Sequence, residues 1–443
     1  MKFRDDFKWG VATSSYQIEG GNLKDGRGKN IWDDFCQWPK KVYNKHDGLI
    51  ACDHIHKFKE DVKIMKDLGV QTYRFSISWP RIIPNGTGTI NKEGIKFYHD
   101  LIDELIDNNI EPYITLFHWD LPLALHRQGG WLNPNIINAF KEFATLVAKE
   151  YTPKVKHFFT LNEPQCFCGM GYVTGNHAPG WKLNHSDSLF LFHNALKAHG
   201  VATKALRDNA KGPIYIGYAP TSEPIVPKNN TKEAIEIARK KYFSLPSLDK
   251  HYHFSTSLFS DPVILGDYPK EYYDLYKDYI PEITKEDLKL INQPLDFLGQ
   301  NIYKGEIDTS IERNDPHTDL DWNIVPEVLY WGPKFLYERY KLPIYITENG
   351  MANADIISSD NKVHDPQRID FLNKYILQLQ KASNEGIDIR GYFLWSLMDN
   401  FEWAEGYRSR FGLIYVDYSN QKRILKDSAH WYSSIIKSNG DLL

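Results

Sequence analysis

The stretch HFFTLNEP, residues 157–164, decides how the rest of the chain is read. Its apolar, β-favouring start reads as a strand buried on both faces, and it ends on Asn162 and Glu163 before Pro164 stops it. Seven other runs have the same character: WGVAT (9–13), TYRFSI (72–77), YITLF (113–117), IYIGYA (214–219), FLGQNI (297–302), IYITE (344–348) and GYFLW (391–395). Amphipathic helical segments with their own stop signals lie between them. Phe58, Val62, Met65 and Leu68 share one helical face ahead of Gly69, and Ile95, Leu101, Ile102 and Leu105 do so ahead of Asn108 and Asn109. In 365–386, Asp365 is placed to cap, Pro366 to open the helix and Gly386 to close it.

Eight strands alternating with helices fit a closed parallel barrel or a doubly wound sheet. No GxGxxG follows the first strand, and GNHAPGWK (175–182) lacks the adjacent Gly-Lys of a phosphate loop. With no linker, low-complexity segment or short repeat, the economical reading is an α/β fold: one (β/α)8 TIM barrel of roughly 250 residues, with about 190 more in extended βα loops. A single domain is expected over 1–443, with its largest insertion around 220–295.

In such a barrel the strand C-termini form the mouth, where side chains from different strands converge. Glu163 ends the fourth strand and Glu348, in YITENG (345–350), ends the seventh. A lone strand-end glutamate is as readily a salt-bridge partner; two over one mouth suit cleavage of a glycosidic bond, one protonating the leaving oxygen while the other attacks the anomeric carbon or directs water to it. The acid has to keep its proton near neutrality, which burial and a neighbouring carboxylate both favour. Pro164 is expected to bias Glu163 toward an extended backbone and so fix its direction. Sugars also need flat apolar faces and hydrogen-bonding groups. LFHWDLP (116–122) and the 395–417 segment supply Trp395, Trp403, Glu402 and His118, and Gln17 lies after the first strand. Taken singly, each of these is more often structural.

Composition excludes several other classes. Lys and Arg number 53 against 57 Asp and Glu, for a net charge of −4, so there is no basic footprint for nucleic acid. The 14% aromatic content, with 12 Trp and 27 Tyr, asks for a large core or a stacking surface. No stretch approaches 18 apolar residues and MKFRDDFKWG has no apolar signal region, so no membrane role is expected. Cys36, Cys52, Cys166 and Cys168 have neither disulfide-framework nor zinc spacing and fit a reducing, cytoplasmic setting. The N-x-S/T triplets at Asn85, Asn184 and Asn229 then carry no meaning as acceptors.

These landmarks together resemble glycoside hydrolase family 1, the β-glucosidase family, along nearly the whole chain: FKWGVATSSYQIEGG (7–21), YRFSISWPRI (73–82), LFHWDLP, TLNEP (160–164), APGW (178–181), SDPVILGDYP (260–269), DFLGQNIY (296–303), ITENG (346–350) and 395–417. The resemblance implies a retaining β-glycosidase with no metal and no organic cofactor. It implies Glu163 as acid/base, Glu348 as nucleophile, and Arg74 and Tyr303 as the groups that orient and charge-balance Glu348. Asn162 falls where the family holds the sugar 2-hydroxyl, and Asn301 at a nearby support position. Gln17, His118, Trp395, Glu402 and Trp403 fall where it holds the glycone. The family's 6-phospho branch uses a serine where Glu402 stands; a carboxylate there would repel phosphate, which implies an unphosphorylated glucoside or galactoside. The acid-less myrosinase branch does not fit, because Glu163 is present. Many bacterial members carry Trp directly after NEP. Gln165 stands there instead, which implies a more polar leaving-group site with Trp322 taking more of the stacking.

The expected partner is a small β-glycoside, a glucoside first and a galactoside or fucoside as the alternative; a homo-oligomer is left open. Two readings from other classes compete. HIH (54–56) and HYH (251–253) would suit a metal-dependent hydrolase, although His54 and His56 precede a helix rather than end a strand. A non-catalytic sugar binder on the same fold is expected to lack one of the two glutamates.

Overall fold

A computed structural model describes residues 2–21, 23–310 and 314–443. Eight parallel strands close into a barrel: β1 (Lys8–Ala12), β2 (Thr72–Ser76), β3 (Glu111–Phe117), β4 (His157–Asn162), β5 (Tyr215–Ala219), β6 (Phe297–Asn301), β7 (Ile344–Asn349) and β8 (Ile389–Trp395). Each pairs with its sequence neighbours, and β8 closes on β1 with Trp395 opposite Ala12. All eight expected strands are present, with β3 and β8 starting two residues earlier than the apolar runs suggest.

The continuous apolar runs hide an alternation that sorts two cores. Tyr113, Phe159, Phe297, Tyr345 and Phe393 turn inward as an aromatic layer, with Phe159–Phe297 and Tyr113–Phe393 centroids 5.2 and 5.1 Å apart. Their neighbours Ile114, Phe158, Leu298, Ile346 and Leu394 turn outward to the helices. The barrel is therefore a packed interior, and the polar ends of its strands have nowhere to go but the mouth.

Helices follow the expected punctuation: His54–Leu68 stops at Gly69 (φ 81°) and Lys92–Asp107 stops ahead of Asn109 (φ 59°). The helix Pro366–Asn384 opens on proline, but Asp365 makes no cap bond. Its carboxylate is taken by Arg368 and by the Ser428 N–H (2.8 Å) and hydroxyl (2.5 Å). The insertion between β5 and β6 holds four helices, at 232–243, 256–264, 270–275 and 285–291.

Gly217 marks the tightest fit inside the wall. A Cβ there would lie 1.9 Å from the Phe297 ring. Gly217→Ala is expected to cost about 1–3 kcal/mol through overpacking, read as a lower urea midpoint at unchanged slope; an unchanged midpoint would contradict this packing.

Candidate active site

The barrel mouth opens on a cavity of about 330 Å3 lined by both Glu163 and Glu348. Glu348 lies within β7, so its position comes from the ladder. Glu163 does not: it lies one residue beyond β4 at φ 42°, left-handed rather than extended. Pro164 removes an N–H but does not impose the expected extended backbone. It adopts φ −58°, ψ −27° and leads into a π-helix over Gln165–Val173. The Glu163 N–H donates to the Ala219 carbonyl at 2.8 Å, and its own carbonyl accepts from the Cys166 N–H at 2.9 Å. Those bonds hold a backbone that costs on the order of 1–3 kcal/mol.

The two carboxyls have different surroundings. Arg74 Nη1 donates to Glu348 Oε1 at 2.6 Å, and the Tyr303 hydroxyl donates to Oε2 at 2.7 Å. Among the described residues no cation pairs directly with Glu163; its Oε1 accepts from Asn301 Nδ2 at 2.9 Å. Asn301 Nδ2 also donates to Asn162 Oδ1 (3.1 Å), which accepts from Arg74 Nη2 (2.6 Å). One chain of hydrogen bonds thus runs Glu163–Asn301–Asn162–Arg74–Glu348. Burial, then the nearby Glu348, pushes the Glu163 pKa up to about 7. Burial also raises Glu348, but Arg74, Tyr303 and Asn301 oppose it. The proton the pair retains belongs on Glu163.

The remaining sequence candidates assemble around this pair. His118 lines the cavity and is kept neutral by burial and by Arg74. Its Nε2 accepts from Asn162 Nδ2 at 3.1 Å, leaving Nδ1 buried without a partner. Trp395 stacks on the His118 ring at 5.8 Å. Trp403, at φ 48°, packs between Trp32 and Trp119 at 4.6 Å from each. Trp322 lines the cavity edge-on to Tyr303 at 5.4 Å. Glu402 lines it too, with a buried Oε2 that has no partner among the described residues. Burial, then Glu348 and Glu163, pushes its pKa up to about 8. That shift weakens its charge in the free site. Among the described residues lining the cavity Lys304 is the one lysine or arginine, and it is paired with Glu223 at 3.1 Å.

Gln17, like Arg74, Asn162 and Asn301, is not among the residues lining the cavity; its amide donates to Asn400 Oδ1 (3.0 Å) and the Phe401 carbonyl (2.8 Å), and its Oε1 accepts from Ser14 (2.6 Å). One expectation changes. Gln165 does not make the leaving-group side polar. It is fully buried and clasps the Thr221 backbone, with Nε2 donating to the carbonyl at 2.9 Å. Cys166, Met170 and Phe254 line the cavity instead.

Sequence reasoning missed Trp119, which lines the cavity beside His118. Strand alternation puts neighbours on opposite sides, but Trp119 has φ 77° and turns inward, its indole N–H donating to the Asn162 carbonyl at 3.0 Å. The histidine pairs serve other ends. His54 Nδ1 meets Asp61 Oδ2 at 2.7 Å, His56 is exposed, and none of His54, His56, His251 and His253 lines the cavity. Among the described residues no group of three or more His, Cys, Asp or Glu is arranged to hold a metal ion.

The profile of glycosyl hydrolase family 1 matches residues 1–441. The chain belongs to that family and is a glycosidase. It is 44% identical to beta-glucosidase A of Thermotoga maritima over 99% of this chain and 98% of that protein. It is 43% identical to the 1,4-beta-D-glucan glucohydrolase of Thermotoga neapolitana, covering 99% of each. The solved structure of the Thermotoga maritima beta-glucosidase in complex with glucoimidazole superposes with a TM-score of 0.91 at 44% identity, over 99% of each chain.

The asymmetry of the two carboxyls is testable without turnover. In carboxyl-labelled protein followed by 13C NMR, Glu163 is expected to titrate near pH 7. Glu348→Gln removes the neighbouring negative charge, so the Glu163 carboxylate becomes easier to form and its pKa falls. A pKa that stays put or rises would contradict the assignment.

Proposed function

We propose that this glycosidase is a retaining β-glucosidase that removes terminal non-reducing β-D-glucosyl residues from cello-oligosaccharides and from aryl and alkyl β-glucosides. The observation that carries the mechanism is one cavity holding one proton-retaining glutamate and one glutamate braced by Arg74 and Tyr303. The names of full-length relatives at 43–44% identity support the substrate. The partnerless Nδ1 of His118 and Oε2 of Glu402 support a hydroxyl-rich ligand, since buried polar atoms ordinarily find partners. A non-catalytic sugar binder finds no support, with both glutamates present.

In the first step the Glu348 carboxylate attacks C1 of the sugar. The C1–O bond breaks, and Glu163 gives its proton to the departing oxygen. Glu348 is then esterified and neutral, and the Glu163 carboxylate takes a proton from water as that water attacks C1. The C1–Glu348 bond breaks, the sugar leaves with its β configuration, and both groups return to their starting states. Arg74 and Tyr303 set the Glu348 oxygens, Asn162 and Asn301 hold the sugar 2-hydroxyl side, and His118, Trp395, Glu402 and Trp403 receive the glycone. Trp322 flanks the leaving group. Gln17, held by Asn400 and the Phe401 carbonyl, joins the glycone side with Glu402. The same reading takes 1–443 as one catalytic domain working in the cytoplasm on small glycosides, including products of cellulose breakdown. Among the described residues no helix is long and apolar enough to cross a membrane.

Glu348→Gly is expected to lower kcat on 4-nitrophenyl β-D-glucopyranoside by at least about 10^3-fold in protein that still folds but melts at a lower temperature, because Arg74 loses its partner; near-normal turnover would sink the nucleophile assignment. In the wild type, 1H NMR of early product is expected to show β-glucose first, and an α-anomer first would exclude retention. Exhaustive dialysis against EDTA is expected to leave the rate unchanged, and a loss restored by metal would revive the metal-dependent reading.

A further inference from the structure

Glu402 and Trp403 reach the cavity from residues 396–412, the segment after β8, and that segment is anchored away from the sugar. Asp399, three residues before Glu402, is fully buried and does not line the cavity. Its Oδ1 accepts from the Gly412 N–H (3.0 Å) and from Lys426 Nζ (2.6 Å), and its Oδ2 from Arg410 Nη1 (2.6 Å). Lys426 Nζ also donates to Asp355 Oδ2 at 2.5 Å. The side chains of Lys426, Asp355 and Asp399 are each 0% exposed.

Arg410 belongs to the same segment as Asp399, so its bond braces the loop internally. Lys426 comes from outside it and joins it to the segment containing Asp355. A buried ammonium between two buried carboxylates is a stiff anchor, because moving either carboxylate away separates opposite charges with no water to screen them. Arg368 supplies a second tether, donating to Asp355 (2.7 Å) and to the Arg410 carbonyl (2.8 Å), so loss of Lys426 loosens the segment without freeing it.

We propose that Lys426 is a positioning residue for glycone recognition: by bridging Asp399 to Asp355 it sets the 396–412 segment so that Glu402 meets the sugar. The proposal deepens the β-glucosidase reading and rests on it.

The test is a double-mutant cycle on kcat/KM for 4-nitrophenyl β-D-glucopyranoside. Lys426→Met is expected to lower kcat/KM about 10-fold, mainly through KM, and to cost about 3-fold or less in a Glu402→Ala background, where of the two only Trp403 is left to position. A merely structural lysine gives the same loss in both backgrounds. That result, or no loss in the single variant, would overturn the proposal. Asp399→Asn weakens the same junction at constant volume and runs the same cycle with the same criteria if Lys426→Met does not fold. Wild-type protein inert toward this substrate would overturn the β-glucosidase reading, and this proposal with it, before any variant is compared.

Discussion

The site depends on one buried ion pair, Arg74 with Glu348 at 2.6 Å. Arg74 is nearly inaccessible, and its four side-chain bonds tie it to three other strands of the barrel. It donates to Thr115 Oγ1 on β3 (3.1 Å), Asn162 Oδ1 on β4 (2.6 Å), and the Thr347 carbonyl (3.2 Å) and Glu348 on β7. Beneath it, the Phe159 ring lies 5.0 Å from the guanidinium carbon. An arginine so fully bonded cannot follow a substrate. It fixes where Glu348 stands and favours its charge. Losing one partner of such a pair typically costs about 3–5 kcal/mol, because the other is left charged and dry.

The rest of the chemistry follows from what Arg74 does not reach. Glu163 shares the cavity and the burial but is held by neutral groups, the Asn301 amide and the Cys166 side chain. Two like groups in one dry space cannot both ionise cheaply, so the cation decides which one does. The packed aromatic interior below closes the barrel, and Glu402, raised to about 8, adds a third carboxyl beside the pair. A single guanidinium thereby separates the reacting pair into one carboxyl that favours its charge and one that favours its proton.

The architecture was legible because β strands buried on both faces leave uninterrupted apolar runs, and eight such runs have few ways to close. The two glutamates were legible because they follow those runs directly. What stayed hidden was backbone geometry and distant pairing. Glu163, Trp119 and Trp403 all sit at positive φ, which no residue type among them signals, and Trp119 was missed for that reason. Gln165 follows a motif residue but spends its amide on the Thr221 backbone, which spacing alone cannot reveal. Asp365 has the residue type and place of a cap, yet Ser428, 63 positions away, competes for it. Lys426 meets Asp355 across 71 positions and carries no motif at all.

The most direct test of the central claim is to identify which side chain takes the sugar. A 2-deoxy-2-fluoro-β-glucoside with an activated leaving group slows breakdown of the intermediate more than its formation, and peptide mass mapping then locates the adduct. The account predicts one glycosyl unit per chain, on the peptide containing Glu348. An adduct on Glu163, or complete turnover of the reagent with inverted product and no adduct, would contradict it.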